Sequence, residues 1–205
     1  MKQTATLALL AGANILVTLL FQWYVITQLG VGIETDALFA GMAVPQLILM
    51  VVSSSLTHVL VPLLATEDSD TFRQNSWGFF LGISGIFTVL ALVLYITATF
   101  WVGWLVPGFS KTAQALTVTL TRIQLVSMIF TASMSVLWSV YHAKQRFIWV
   151  EVSTLLSSLI ALVLLVALLP AYGVIGAALL IVLRTGLQVV WLMPGLGRWQ
   201  WPNWN

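Results

Sequence analysis

Two arginines lie deep within long apolar runs of this chain, where their charges could bind an anionic ligand. Arg122 and Arg184 each stand about ten residues into a run, which at a rise of 1.5 Å per residue puts them near the middle of a bilayer. A charge at that depth is costly and usually serves a function. Gln188 follows Arg184 by one helical turn, so the two share a face. The sequence therefore predicts ligand contacts from Arg184, Gln188 and Arg122.

The apolar run that contains Arg122 also carries a stripe of polar residues on one helix face. They recur at steps of three and four residues: Thr117, Thr121, Gln124, Ser127, Thr131, Ser135 and Ser139. Small hydroxyl residues often form packing surfaces between membrane helices. The alternative is a cavity wall that presents Gln124 and Thr131 to a sugar or phosphate, and we include both among the predicted binding residues. Arg122 points away from this stripe, so it could instead snorkel outward or pair with a backbone carbonyl.

Enzyme chemistry has little support in the sequence. The two histidines, His58 and His142, are far apart and lack the spacing of a zinc site, and the chain has no cysteine. No pair of carboxylates lies within an apolar run for acid–base work. Three acidic residues cluster at 67–70, where a solvated loop is the simpler reading than a cation site. We therefore predict a protein that is not an enzyme and has no cofactor and no metal.

The composition indicates a membrane protein. Hydrophobic residues make up 60% of the 205 residues and charged residues only 7%, whereas soluble domains carry roughly 25% charged residues. So few charges cannot cover a water-exposed surface. The net charge of +2 is small and scattered, which argues against nucleic acid as a partner.

Six apolar segments are long enough to cross a bilayer, which takes about 20 helical residues. They span about 6–29, 37–64, 77–102, 113–141, 147–169 and 174–193. The breaks between them carry turn residues or charges, and none is long enough to be a separate domain. The sequence therefore predicts an all-α, polytopic membrane protein in which residues 1–205 form one bundle of six transmembrane helices.

The basic residues predict the orientation of this bundle, because lysine and arginine collect on the cytoplasmic side. With the N-terminus inside, only Lys111 falls outside. The inner side receives Lys2, Arg73, Lys144, Arg146 and Arg198. Both termini are then cytoplasmic.

The second segment contains candidate helix-start and hinge residues. Thr35 and Asp36 stand at its start, where side-chain oxygens cap free N–H groups. Pro45 removes the hydrogen bond to the Gly41 carbonyl and predicts a kink. That kink is either static or a hinge for alternating access, and both use the same geometry.

Four motifs, in order along the chain, resemble one known family. The segment from Gly30 to Pro45 reads Gly-Val-Gly-Ile-Glu-Thr-Asp-Ala-Leu-Phe-Ala-Gly-Met-Ala-Val-Pro. Trp-Leu-Val-Pro-Gly-Phe follows at 104–109, Leu-Thr-Arg-Ile at 120–123, and Gly-Leu-Gln-Val-Val-Trp-Leu-Met-Pro at 186–194. Together they resemble the MviN/MurJ lipid II flippases, within the superfamily of multidrug, oligosaccharidyl-lipid and polysaccharide exporters. That family has two six-helix lobes around a central cavity, and this chain resembles the first lobe.

The resemblance implies a transporter that moves an amphipathic, lipid-linked sugar across the cytoplasmic (inner) membrane, in peptidoglycan biosynthesis or polysaccharide export. It also implies a second lobe, either another copy or a separate polypeptide. The family's cavity arginines are absent, because the matching positions hold Phe21 and Thr27, then Leu49 and Met50, with Gln22 in place of an acid. The absence of these arginines argues against lipid II itself and favours a different lipid-linked sugar or an altered function. The alternatives are a non-transporting membrane subunit and an ion-coupled exporter of small amphiphiles.

Overall fold

The structure, a computed structural model, describes residues 2–200, apart from the side chains of residues 2 and 52–54. This part of the chain consists of five long α-helices and a short 3₁₀ turn. They are α1 (Lys2–Leu29), α2 (Ile33–Ala65), α3 (Ser69–Leu105), α4 (Lys111–Ala143) and α5 (Phe147–Leu192), with the turn at Met193–Leu196. All five α-helices are long and apolar enough to cross a membrane. The all-α prediction is therefore confirmed for the described residues.

The predicted count of six separate helices is not matched, because the last two segments are joined in α5. This helix has 46 residues, about 70 Å if straight, which is more than twice the thickness of a bilayer core. Within α5, Gly173 alone leaves the helical conformation, with φ 55° and ψ −144°. Glycine adopts this positive φ at little cost because it has no Cβ. The predicted break at 170–173 is thus a one-residue bend and not a loop.

The bend at Gly173 folds α5 back on itself. Gln188 Nε2 donates a hydrogen bond to Thr154 Oγ1, and Trp149 Nε1 donates to the Trp191 carbonyl at 3.3 Å. Each bond joins a residue before Gly173 to one that follows it by a comparable number of residues, so the two arms are antiparallel. We call residues 147–172 the first arm and residues 174–192 the second arm.

Helix α4 is the centre of the bundle, because it packs against α2, α3 and α5. Its small hydroxyl residues make this possible: Thr117 and Ser139 are fully buried, and each donates to a carbonyl of its own helix. On α2, a Cβ added to Gly41 would lie 3.1 Å from the Thr121 backbone nitrogen. The close packing of α2 and α4 therefore depends on a glycine. Helix α1 packs mainly against α5.

Basic residues gather where α4 meets α5. Lys144 Nζ donates to the Gly195 carbonyl at 2.8 Å and lies 4.6 Å from the centre of the Phe72 ring. Burial lowers the pKa of Lys144, and the charges of Arg146 and Arg73 lower it further. Three of the predicted inner-side residues thus lie together, whereas Lys111 begins α4 and lies at the opposite end of the bundle. Which end faces the cytoplasm remains a prediction.

Candidate functional site

Two adjoining cavities lie beside the second arm of α5. The first, of about 110 Å³, is bounded by α1, α2 and the second arm, and we call it the α1–α2 cavity. The second, of about 200 Å³, is bounded by α2, α4 and the second arm, and we call it the α2–α4 cavity. Four residues line both cavities: Met42, Gln46, Ile181 and Arg184. Arg184 therefore lies at the boundary between the two spaces.

Arg184 has no protein counter-charge in this position. Across residues 2–200, the structure gives its guanidinium no hydrogen bond and no ion pair. No aspartate or glutamate occurs among the described residues that line the two cavities. Arg184 is half-buried, and a charge inside a membrane bundle normally pairs or reaches water. The boundary between the cavities is consequently a site of positive potential.

The middle of the α4 polar stripe forms a wall of the α2–α4 cavity. Gln124, Ser127 and Thr131 all line it. Gln124 is 4% exposed, and its buried Nε2 makes no hydrogen bond. Both readings of the stripe thus apply to different parts of it, since its ends pack against neighbouring helices and its middle faces a cavity. Gln124 and Thr131 lie where a cavity wall was expected.

Gln188 lies outside both cavities. Its side chain is buried and is bonded to Thr154 on the first arm. The prediction grouped it with Arg184 because the two share a helix face. The structure separates them, because the folded α5 uses Gln188 to join its arms while Arg184, one turn earlier, reaches the cavities.

Arg122 also lies away from the cavities, on the side of α4 that faces α3. Its Nε donates to the Tyr95 carbonyl at 3.3 Å and an Nη donates to Thr99 Oγ1 at 3.4 Å. The guanidinium carbon is 4.9 Å from the centre of the Tyr95 ring, a cation–π distance. The backbone-carbonyl alternative for Arg122 therefore matches its surroundings.

The candidate hinge residues differ in their contacts. Pro45 is buried, and α2 continues past it without a break. Pro45 also lines the α2–α4 cavity, whereas Gly41 touches α4.

The start of α2 was predicted too late. The helix begins at Ile33, and the Gly32 N–H donates to Thr35 Oγ1 at 3.1 Å. Thr35 thus serves the helix start, and Asp36 is in the first turn, where its charge favours the helix dipole.

Sequence reasoning missed two cavity residues. Gln46 lines both cavities, and Gln22 lines the α1–α2 cavity beside Phe21. Isolated glutamines in apolar helices were the available signal, but their helix faces could not be assigned without the packing. Phe21 and Leu49, two of the positions matched to the family's arginines, also line these cavities. Among the described residues, no cluster of histidine, aspartate or glutamate could hold a metal ion.

Comparison with known proteins identifies the fold and the family. A solved structure of the lipid II flippase MurJ in an inward closed conformation superposes with a TM-score of 0.72 at 18% sequence identity. The alignment covers 95% of this chain but only 43% of that structure. A search of curated proteins finds no match. The family model for the lipid II flippase MurJ matches residues 25–201, which confirms the resemblance seen in the motifs: the chain belongs to the MurJ lipid II flippase family.

Proposed function

We propose that this chain is one lobe of a membrane transporter that flips a lipid-linked sugar precursor. The observation that carries the proposal is Arg184, an unpaired positive charge between two cavities in a bundle with the fold of a flippase lobe. Lipid-linked precursors carry their sugar through a phosphate or diphosphate, and a guanidinium binds such groups with parallel hydrogen bonds. Membership of the MurJ family supports the same class of substrate.

We infer that the headgroup approaches from the α1–α2 cavity. This cavity is lined by Gln22, Gln46 and Arg184 together with apolar residues, a combination that suits a polar headgroup on an apolar chain. Gln124 and Thr131 extend the polar surface behind α2. With Phe21 and Leu49 at the positions matched to arginines, fewer charges are available than in the resembling flippases. Another lipid-linked sugar is therefore as suitable a substrate as lipid II.

In this proposal residues 1–205 form a single domain with six crossings of the inner membrane, α5 crossing twice through its two arms. Both termini are cytoplasmic. Reporter fusions after Ser69, Lys111, Lys144 and Tyr172 test this topology. We expect periplasmic signals after Lys111 and Tyr172 only, and a periplasmic signal after Lys144 would disprove the orientation.

Transport also requires a second lobe in this proposal. Alternating access moves one bundle against another around a shared site, and the chain covers 43% of the MurJ structure it matches. A second copy or a separate polypeptide would supply the other wall. We expect the chain to form a dimer or hetero-complex in mild detergent, and to move a fluorescent lipid-linked oligosaccharide in liposomes only in that form. A monomer that flips the lipid unaided would overturn the requirement.

A further inference from the structure

The α2–α4 cavity has more hydrogen-bond donors than the protein itself can satisfy. Arg184 brings N–H groups that have no partner within the described chain, and the buried Nε2 of Gln124 is also unpaired. A buried donor without an acceptor is costly, and the charge of Arg184, which is half-buried, adds to that cost. Two unpaired donors on residues that line one cavity indicate a missing acceptor.

The hydroxyl groups of this cavity do not supply that acceptor charge. Thr131 Oγ1 donates to the Ser127 carbonyl at 2.9 Å, and Thr185 Oγ1 donates to the Val182 carbonyl at 2.9 Å. Their protons are therefore committed to the backbone, and their oxygens are neutral. Because no carboxylate lines the cavity among the described residues, the space is electropositive, and it suits an anion.

The cavity is large enough for a small anion. A volume of about 200 Å³ is close to that of an apolar cavity of about 150 Å³ that holds one benzene molecule. A halide or a phosphate ion with a few waters fits this volume. The walls are α2, α4 and the second arm of α5, so they all belong to this lobe. A diffusible ion is the simplest source of negative charge in such a place.

We propose that a small inorganic anion, chloride or phosphate, binds in the α2–α4 cavity as the counter-ion of Arg184. The ion accepts hydrogen bonds from the Arg184 guanidinium and, after a side-chain rotation, from Gln124. This site adjoins the proposed headgroup position in the α1–α2 cavity and shares Arg184 with it, but it does not depend on the chain being a flippase.

Thermal unfolding of the purified full chain in detergent tests the proposal, with sodium gluconate replaced stepwise by sodium chloride or phosphate at constant ionic strength. We expect a saturable rise in Tm of about 5 °C, because an ion that binds only the folded chain stabilises it. R184Q should lose this rise, and R122Q, which changes an arginine outside the cavities, should keep it. Q124L should weaken it, and R184K, which keeps a point charge, should retain part of it.

A third arm separates a free ion from a lipid headgroup. The titration is repeated after saturation with a polyprenyl diphosphate. The chloride response should persist, because Arg184 borders both cavities and its five N–H donors can serve an anion on each side. If the lipid abolishes the response, the occupant is the headgroup, and the free-ion proposal is wrong while the flippase proposal stands. An equal response in R184Q and wild type, or the same Tm in gluconate and chloride, would also overturn the site. If R184Q is unfolded in gluconate, the comparison of R184K and Q124L with R122Q decides the matter.

Discussion

The two intramembrane arginines, Arg122 and Arg184, lie on opposite sides of α4 and differ in their partners. Towards α3, Arg122 is held by the Tyr95 carbonyl, the Thr99 hydroxyl and the Tyr95 ring. On the opposite side of α4, Arg184 of the second arm borders the α1–α2 and α2–α4 cavities and has no partner in the described chain. Both arginines stand about ten residues into their apolar segments, so depth alone does not separate structure from function. The difference lies in the partners, and an arginine without them is the better candidate for binding a ligand.

The rate of lipid flipping should show the largest difference between the two arginines. We expect R184Q to lower the flipping rate of the assembled transporter by about 10- to 100-fold, because hydrogen bonds to a charged group contribute about 1.5–3 kcal/mol. R122Q should change the rate less than threefold. Flipping of a fluorescent lipid-linked oligosaccharide in liposomes measures both. Equal losses in the two variants would mean that the contrast between the two arginines has no functional meaning.

Access of water should differ in the same direction. A cysteine in place of Arg184 is expected to react with a membrane-impermeant thiol reagent roughly tenfold faster than one in place of Arg122, because a polar cavity large enough for water adjoins position 184 alone. The chain has no native cysteine, so the labelling has no background. Complete protection of R184C in both intact and permeabilised membranes would show that the cavities are closed to water and would remove the basis for ligand contact.

The tightness of packing should give the smallest effect. A Cβ at Gly41 would meet the Thr121 backbone, whereas a Cβ at Gly85 on α3 would meet nothing within 4 Å. G41V should destabilise the folded chain by about 1–3 kcal/mol through overpacking. G85A should stabilise it by about 0.5–1 kcal/mol through helix propensity. Unfolding in detergent with increasing sodium dodecyl sulfate compares them, and a G41V chain as stable as wild type would show that α2 can move away from α4 at no cost.

The sequence predicted those features that depend on a single helix. Apolar length located the helices, and Pro170 with Gly173 located the bend in α5, although one positive-φ glycine was enough where a loop was expected. Periodicity placed Gln124 and Thr131 on one face of α4. Features that depend on contacts between two helices could not be predicted from the sequence. The contacts of Arg122 with α3 and of Gln188 with Thr154 depend on which helices become neighbours, and the roles of Gln22 and Gln46 depend on it too.

The one-residue bend at Gly173 also bears on how this lobe enters a membrane. Because the bend contains no polar loop, no hydrophilic segment separates the arms of α5. We therefore expect the two arms to leave the translocon together, as a helical hairpin, during synthesis. The second arm carries the cost of Arg184, about 2.5–3.5 kcal/mol on insertion scales. The first arm, which from position 159 to 169 is wholly Leu, Ile, Ala and Val, offsets that cost only if both arms partition as one unit. Gly173 thus couples the insertion of the arm that carries Arg184 to that of its apolar neighbour.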